Sequence, residues 1–330
     1  MKKSAILLSL LLVVALSAFA GAGQQKAPAT SNDGPMTVTI AGGSIGGAWA
    51  AIGEGVAETI RRTYPGSNIA YEVGQEAANI ALVATNKLEL GVAHSGLVKM
   101  AMEGRGPFER AFPNLRAIAV LHEDAAHHFI VRADARVKTF SDIANVSGFK
   151  VNMNTKDSFM EIVAKATLAA YGISYENIRS KGGAVDFQSM GPSLDLMRDG
   201  RIQAYSNLIQ MPSSHVVDAA INMGLVLLPT SEEIIAKVNA EVGTYRSVIP
   251  KGTYSFQTED IPTVSGTLIL FTSADQADTM AYKVARSMGE NISYLKNIHA
   301  SLVNLDLETM KKVAPAQLHN GAIKYYEEKK

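Results

Sequence analysis

The stretch MTVTIAGGSIGGAWAAIGEGVAETIRR, residues 36–62, decides the fold. From Met36 to Ala41 β-branched and other apolar residues alternate, the period of a strand. Gly42-Gly43-Ser44-Ile45-Gly46-Gly47 breaks that pattern, and from Ala48 to Arg62 the residues Ile52, Val56 and Ile60 fall four apart on one helix face. A strand, a glycine turn and a helix therefore follow one another directly.

Working outward, the same order returns. Ile69 to Val73 reads as a strand, Gly74-Gln75-Glu76 as a turn, and Ala77 to Thr85 as a helix with Ile80 and Val83 inward. Leu88 to Ala93 reads as a buried strand ending at His94-Ser95. Such alternation implies a mostly parallel sheet covered by helices, and right-handed crossovers put the turns at one edge. Ligands of these sheets lie beyond the carboxyl ends of the strands, where helix N-termini present amides and partial positive charge. Ser44, Gln75, Glu76 and Ser95 are therefore expected to converge.

Leu115 to Asp134 is strand-rich, with His128 to Arg132 as its apolar centre, and is expected to carry the chain from one lobe to another. Beyond it the grammar restarts: strand Phe149 to Met153, turn Asn154-Thr155-Lys156-Asp157, helix Ser158 to Tyr171 closed by Gly172. Ser158 with Glu161 three residues on matches a capping box. Ser193 to Arg198 then reads as a helix, Ile202 to Tyr205 as a strand ending at Ser206-Asn207, an echo of Ala77 to Ser95. Helix His215 to Met223 and strand Leu225 to Leu228 follow. Thr263 to Phe271 is expected to return the chain to the first lobe, with helices from Asp275 to Tyr294 and from Leu307 into the tail. The expected architecture is α/β and two-lobed, with residues 36–132 and 266–330 in lobe 1, 133–265 in lobe 2, and two crossing segments.

At the N-terminus Lys2 and Lys3 precede an apolar run from Ala5 to Ala15 and the small-residue site Ala18-Phe19-Ala20. This is the pattern of a cleavable secretory signal over residues 1–20, shorter than the roughly 20 apolar residues of a membrane span. Residues 21–35, rich in Ala, Gln, Ser, Asn and Pro, read as a tether. The chain has no cysteine, which excludes disulfides, thiol nucleophiles, cysteine metal sites and lipid attachment through cysteine. With 31 basic and 31 acidic residues in the whole chain, loss of the two leader lysines leaves a net charge of about −2, and no nucleic-acid partner is expected. The expected product is a monomer free in the periplasm.

Gly42-Gly43-Ser44-Ile45-Gly46-Gly47-Ala48-Trp49, ending at Gly53, resembles the opening motif of the TAXI-type receptors of tripartite ATP-independent periplasmic (TRAP) transporters. Leu88-Glu89-Leu90-Gly91-Val92, Glu103-Gly104-Arg105-Gly106-Pro107-Phe108, Asp199-Gly200-Arg201-Ile202-Gln203-Ala204 with Pro212, and Ile249-Pro250-Lys251-Gly252-Thr253-Tyr254 with Pro262-Thr263 are similar to further motifs of that family, in order. The resemblance implies a two-lobed, class II binding protein that passes a carboxylate or amino acid to integral membrane subunits of a sodium-driven or proton-driven carrier. Closure of the lobes on the ligand is expected to bring together Ser44, Gly46, Gly47, Ala48, Trp49, Gln75, Glu76, Asn79, His94 and Ser95 of the first lobe with Asn154, Thr155, Lys156, Ser158, Asn207 and Gln210 of the second. The sequence departs from the family pattern where Gln75-Glu76 replace a Gly-Ser pair, at His94-Ser95-Gly96, at Asn154 to Ser158, and at Gln203.

Each of these residues also has a plainer reading. Gly42 to Gly47 lacks the third glycine of a dinucleotide fingerprint and the lysine of a P-loop, leaving a carboxylate-binding turn or a purely structural one. Trp49 is a cleft wall or a packing residue. His122, His127 and His128 lie close together, but neighbours in a strand point to opposite faces, so no metal site is expected. Lys156 and Arg132 are the basic residues nearest the expected cleft. Glu76 would repel an anion and attract an amino group. No nucleophile elbow or informative carboxylate pair is present, so a binding protein is expected rather than an enzyme, with no cofactor. The rivals are a receptor for an ATP-driven importer and a periplasmic enzyme or sensory domain using the same cleft.

Overall fold

The computed structural model describes residues 34–329. The leader expected over 1–20 and nearly all of the tether expected over 21–35 therefore lie outside the described residues. The first half runs β1 (Thr37–Gly42), α1 (Ala48–Thr63), β2 (Asn68–Val73), α2 (Glu76–Ala84), β3 (Leu90–His94), α3 (Ser95–Glu103). β1 pairs in parallel with β2 and with β3. The turn between β1 and α1 is shaped by Tyr71 of β2, whose hydroxyl donates to the Gly43 carbonyl at 2.9 Å. A side chain on Gly42 would come within 2.3 Å of the Tyr71 oxygen, and one on Gly53 within 2.4 Å of its ring. These two glycines make room for a tyrosine. Gly53→Ala is accordingly expected to lose about 1–3 kcal/mol by overpacking, read from the urea midpoint; an unchanged midpoint would show that Tyr71 swings aside freely.

Next comes β4 (Leu115–Arg132), an unbroken strand of 18 residues. It leads to α4 (Phe140–Ile143), β5 (Lys150–Asn152), α5 (Phe159–Ala170), α6 (Tyr175–Ser180), β6 (Ala184–Asp186), α7 (Met190–Arg198), β7 (Ala204–Ile209) and α8 (Ser214–Asn222). β5 pairs in parallel with β6 and β7, as β1 does with β2 and β3. The echo heard in the sequence is thus one βα plan used twice. β8 (Leu225–Leu227), α9 (Glu232–Val242) and β9 (Tyr245–Ile249) complete the second half.

β10 (Ile261–Ser273) runs back antiparallel to β4. Its first residues pair with β9 and its last with β3. β4 in turn takes β7 as a partner from Ala126 onward, so its end, expected in the first lobe as far as Arg132, hydrogen-bonds with second-half strands. Two adjacent strands thus make both crossings, with register shifts around Gly266 to Ile269, where bulges bend such ribbons. The sheet order is β2-β1-β3-β10-β4-β7-β5-β6.

α10 (Asp278–Glu290), α11 (Ile292–Leu295), α12 (Leu307–Met310) and α13 (Asn320–Glu328) return to the first half. Both helices expected here are broken, the first at Asn291 and the second between Met310 and Asn320. Among the described residues no helix is long and apolar enough to cross a membrane. Apolar clusters flank each half, and one of them continues across the gap, joining Leu97, Val98 and Ile269 to Phe159, Val163, Leu208 and Val238.

Candidate functional site

Three helix N-termini meet where the halves face each other. Gln75 caps α2, His94 caps α3 and Ser158 caps α5. Ser158 Oγ accepts from the Glu161 amide at 3.3 Å, as a capping box requires. The reciprocal arm is absent, because the Glu161 carboxylate takes the Tyr175 hydroxyl at 2.7 Å instead. At the point of convergence lies the Glu76 carboxylate. Its Oε1 accepts the His94 amide at 2.7 Å and stands 3.0 Å from His94 Nδ1, while Oε2 accepts the Phe159 amide of α5 at 3.0 Å. The His94 ring is sandwiched between Trp49, 5.3 Å away, and Phe159, 5.1 Å away.

Beside this cluster is a chamber of about 50 Å³ lined by Trp49, His94, His122, Leu208, Gln210 and Ser301. His122 Nδ1 lies 3.1 Å from the Ser301 carbonyl, which leaves the buried Nε2 as a lone pair with no partner. Burial holds the His122 ring below its ordinary pKa. Two grooves flank the chamber. One, of about 780 Å³, is lined by Gln75, Glu76, Phe108, Arg110, Thr155 and Lys156. The other, of about 660 Å³, runs along the crossing strands past Glu123, Asp124, Gln210 and Lys296.

The expected contacts divide accordingly. Trp49, His94 and Gln210 line the chamber, and Gln75, Glu76, Thr155 and Lys156 line the larger groove. Ser44, Gly46 and Gly47 are exposed, and the Gly47 amide is already bonded to the Ser44 carbonyl at 3.1 Å, so the turn does not present a full ring of amides. Ala48 is the half-buried first residue of α1. Asn79 donates to the Gly42 carbonyl and staples α2 to the glycine turn. Ser95 donates to the Ala314 carbonyl. Asn154 donates to Tyr205 and Asn207, and Asn207 sits inside β7 rather than at its tip. Arg132 is bound to Asp134 and the Met197 carbonyl, away from the cleft. These five side chains are each engaged in hydrogen bonds within the protein.

His122, weighed in the sequence only as a metal ligand, lines the chamber with Leu208 and Ser301, which had not been singled out; nor had Phe159, which packs on the His94 ring beside it. Phe159 alone had a local signal, as the residue after the best-marked helix cap. His127 and His128 are buried on opposite faces of β4, with Nε2 atoms 2.8 Å from Ser206 Oγ and from the Tyr254 hydroxyl. Burial pushes their pKa values down to about 3 and about 4.

A family model described as the NMT1-like family matches residues 40–329. The chain belongs to the NMT1-like family. The TAXI-type receptors suggested by the motifs are a narrower class than this match. Among solved structures, this NMT1-like chain is similar to the periplasmic binding protein BugD, with a TM-score of 0.54 and 11% identity over 81% of this chain and 87% of that one. It is similar also to MatC from Rhodopseudomonas palustris with bound malate, with a TM-score of 0.53 and 15% identity over 81% and 88% of the two chains. The fold is therefore the two-lobed α/β fold of periplasmic binding proteins.

Proposed function

We propose that this NMT1-like chain is a periplasmic solute-binding receptor that takes a small organic anion between its lobes and delivers it to a TRAP-type membrane carrier. The anion is a carboxylate, a dicarboxylate such as 2-oxoglutarate, or an amino acid such as glutamate. The observation that carries this reading is the set of three helix N-termini, two from the first half and one from the second, directed at one buried carboxylate position. Such ends stabilise negative charge. A chamber of about 50 Å³ is far below the roughly 300–1,000 Å³ of ligand pockets, so on this reading the lobes part for a ligand to reach it from the larger grooves. The bend of the β4–β10 ribbon is where they do so. MatC carries malate in the same fold, which puts four-carbon dicarboxylates first among compounds to try.

The test is a thermal-shift screen of dicarboxylates, keto acids and amino acids. A ligand at 100 times its Kd stabilises by about 2.7 kcal/mol, and it must be recovered unchanged. If nothing shifts the melting point, or the compound is converted, the receptor reading fails. Trp49→Ala is expected to weaken the binding of the compound found at least tenfold, about 1.4 kcal/mol, while the melting point of the ligand-free protein stays near wild type. Lost stability with intact affinity would make Trp49 a core residue.

A further inference from the structure

We propose that Glu76 is a tethered stand-in for the ligand carboxylate, occupying the anion position between the lobes and holding them shut when no ligand is bound; the inference rests on the receptor reading only for where it places the ligand. Glu76 belongs to the first half, yet one of its oxygens is bonded to the Phe159 amide of the second. Its side chain is 2% exposed. A carboxylate so buried is tolerable only when its oxygens are bonded. Glu76 meets that condition through His94 and Phe159, and its position at the start of α2 adds a third helix end of favourable sign.

The Phe159 amide is available to Glu76 only while the lobes are together. Parting them returns Glu76 to water and bares the amides at the start of α5. An incoming carboxylate competes with Glu76 for those amides.

The experiment removes the tethered group and supplies a free one. Glu76→Ala is compared with wild type by small-angle X-ray scattering and thermal melting, in sodium acetate and in sodium chloride of equal ionic strength. Ligand-free wild type is expected to be compact and indifferent to the choice of salt. Glu76→Ala is expected to have a larger radius of gyration and a lower melting point in chloride, and acetate is expected to restore both towards wild type. An extended wild type, or a variant that acetate affects no more than chloride, would overturn the proposal. Should Glu76→Ala not fold, Glu76→Gln keeps the shape without the charge, and faster hydrogen exchange at the Phe159 amide than in wild type is expected; unchanged exchange overturns the proposal. Acetate acts here without any natural ligand, so the latch can fail while the compound screen succeeds, and the reverse.

Discussion

Phe159→Ala is expected to cost about 3–5 kcal/mol of stability, the range for removing a fully buried aromatic side chain. The ring has no room to be replaced by backbone movement from its neighbours. It fits a notch at Gly96, where any side chain would come within 2.3 Å of it, and it touches His94 on its other side. It also belongs to the apolar cluster that runs from α3 and β10 into α5, so its loss weakens the joint between the halves as well as the core of either. Urea unfolding followed by circular dichroism gives the size of the effect. A loss below about 1 kcal/mol is what surface positions show, and would mean that the ring is not enclosed.

Acid is expected to act on a similar scale. His127 and His128 are pushed by burial to about 3 and about 4, while in the unfolded chain they titrate near 6.5. Their folded values are depressed, so between those limits the unfolded chain binds more protons than the folded one. The stability they contribute is fully present above pH 6.5 and is lost as pH falls towards 4. Each histidine accounts for about 1.4 kcal/mol per pH unit, so the pair loses about 4 kcal/mol by pH 5. His122, His299 and His319, also depressed by burial, act in the same direction. Denaturant unfolding at pH 7, 6 and 5 measures the slope, in a range above the titration of most carboxylates. A flat profile would rule out two buried neutral rings, and His127→Gln should reduce the slope by about one histidine's share.

Much of the architecture was legible because it is periodic. The alternation before Gly42, the four-residue spacing in α1 and the cap at Ser158 are local signals, and each marks an element that forms. β4 reads as one strand only with its partners in view, since its unbroken length depends on pairing with β10 at one end and β7 at the other. β7 runs on to Ile209 because Leu208 and Ile209 remain buried, which polar Ser206-Asn207 concealed. α9 has a readable start and stop, with Ser231 before it and Gly243 in the left-handed conformation after it.

The site was legible only as a place. The loops that hold Trp49, Glu76, His94 and Ser158 were named from the positions of turns, which strand–helix alternation determines. Which side chains bond to each other across those turns is not periodic. Asn79, Asn154 and Asn207 have the polar character of ligand contacts, yet each is consumed by a neighbouring carbonyl, hydroxyl or amide. Glu76 left two options open in the sequence, repulsion of an anion or attraction of an amine. The structure has it doing neither, because its partners are backbone amides and a histidine of the same chain.

The two connections between the halves are neighbouring strands hydrogen-bonded to each other along their length. A pair of independent threads would let one body slide, swing or swivel over the other. A laced ribbon is stiff in its own plane, and its register is broken only between Gly266 and Phe271. Any bending of one half against the other must therefore be taken up by both strands together rather than by either alone.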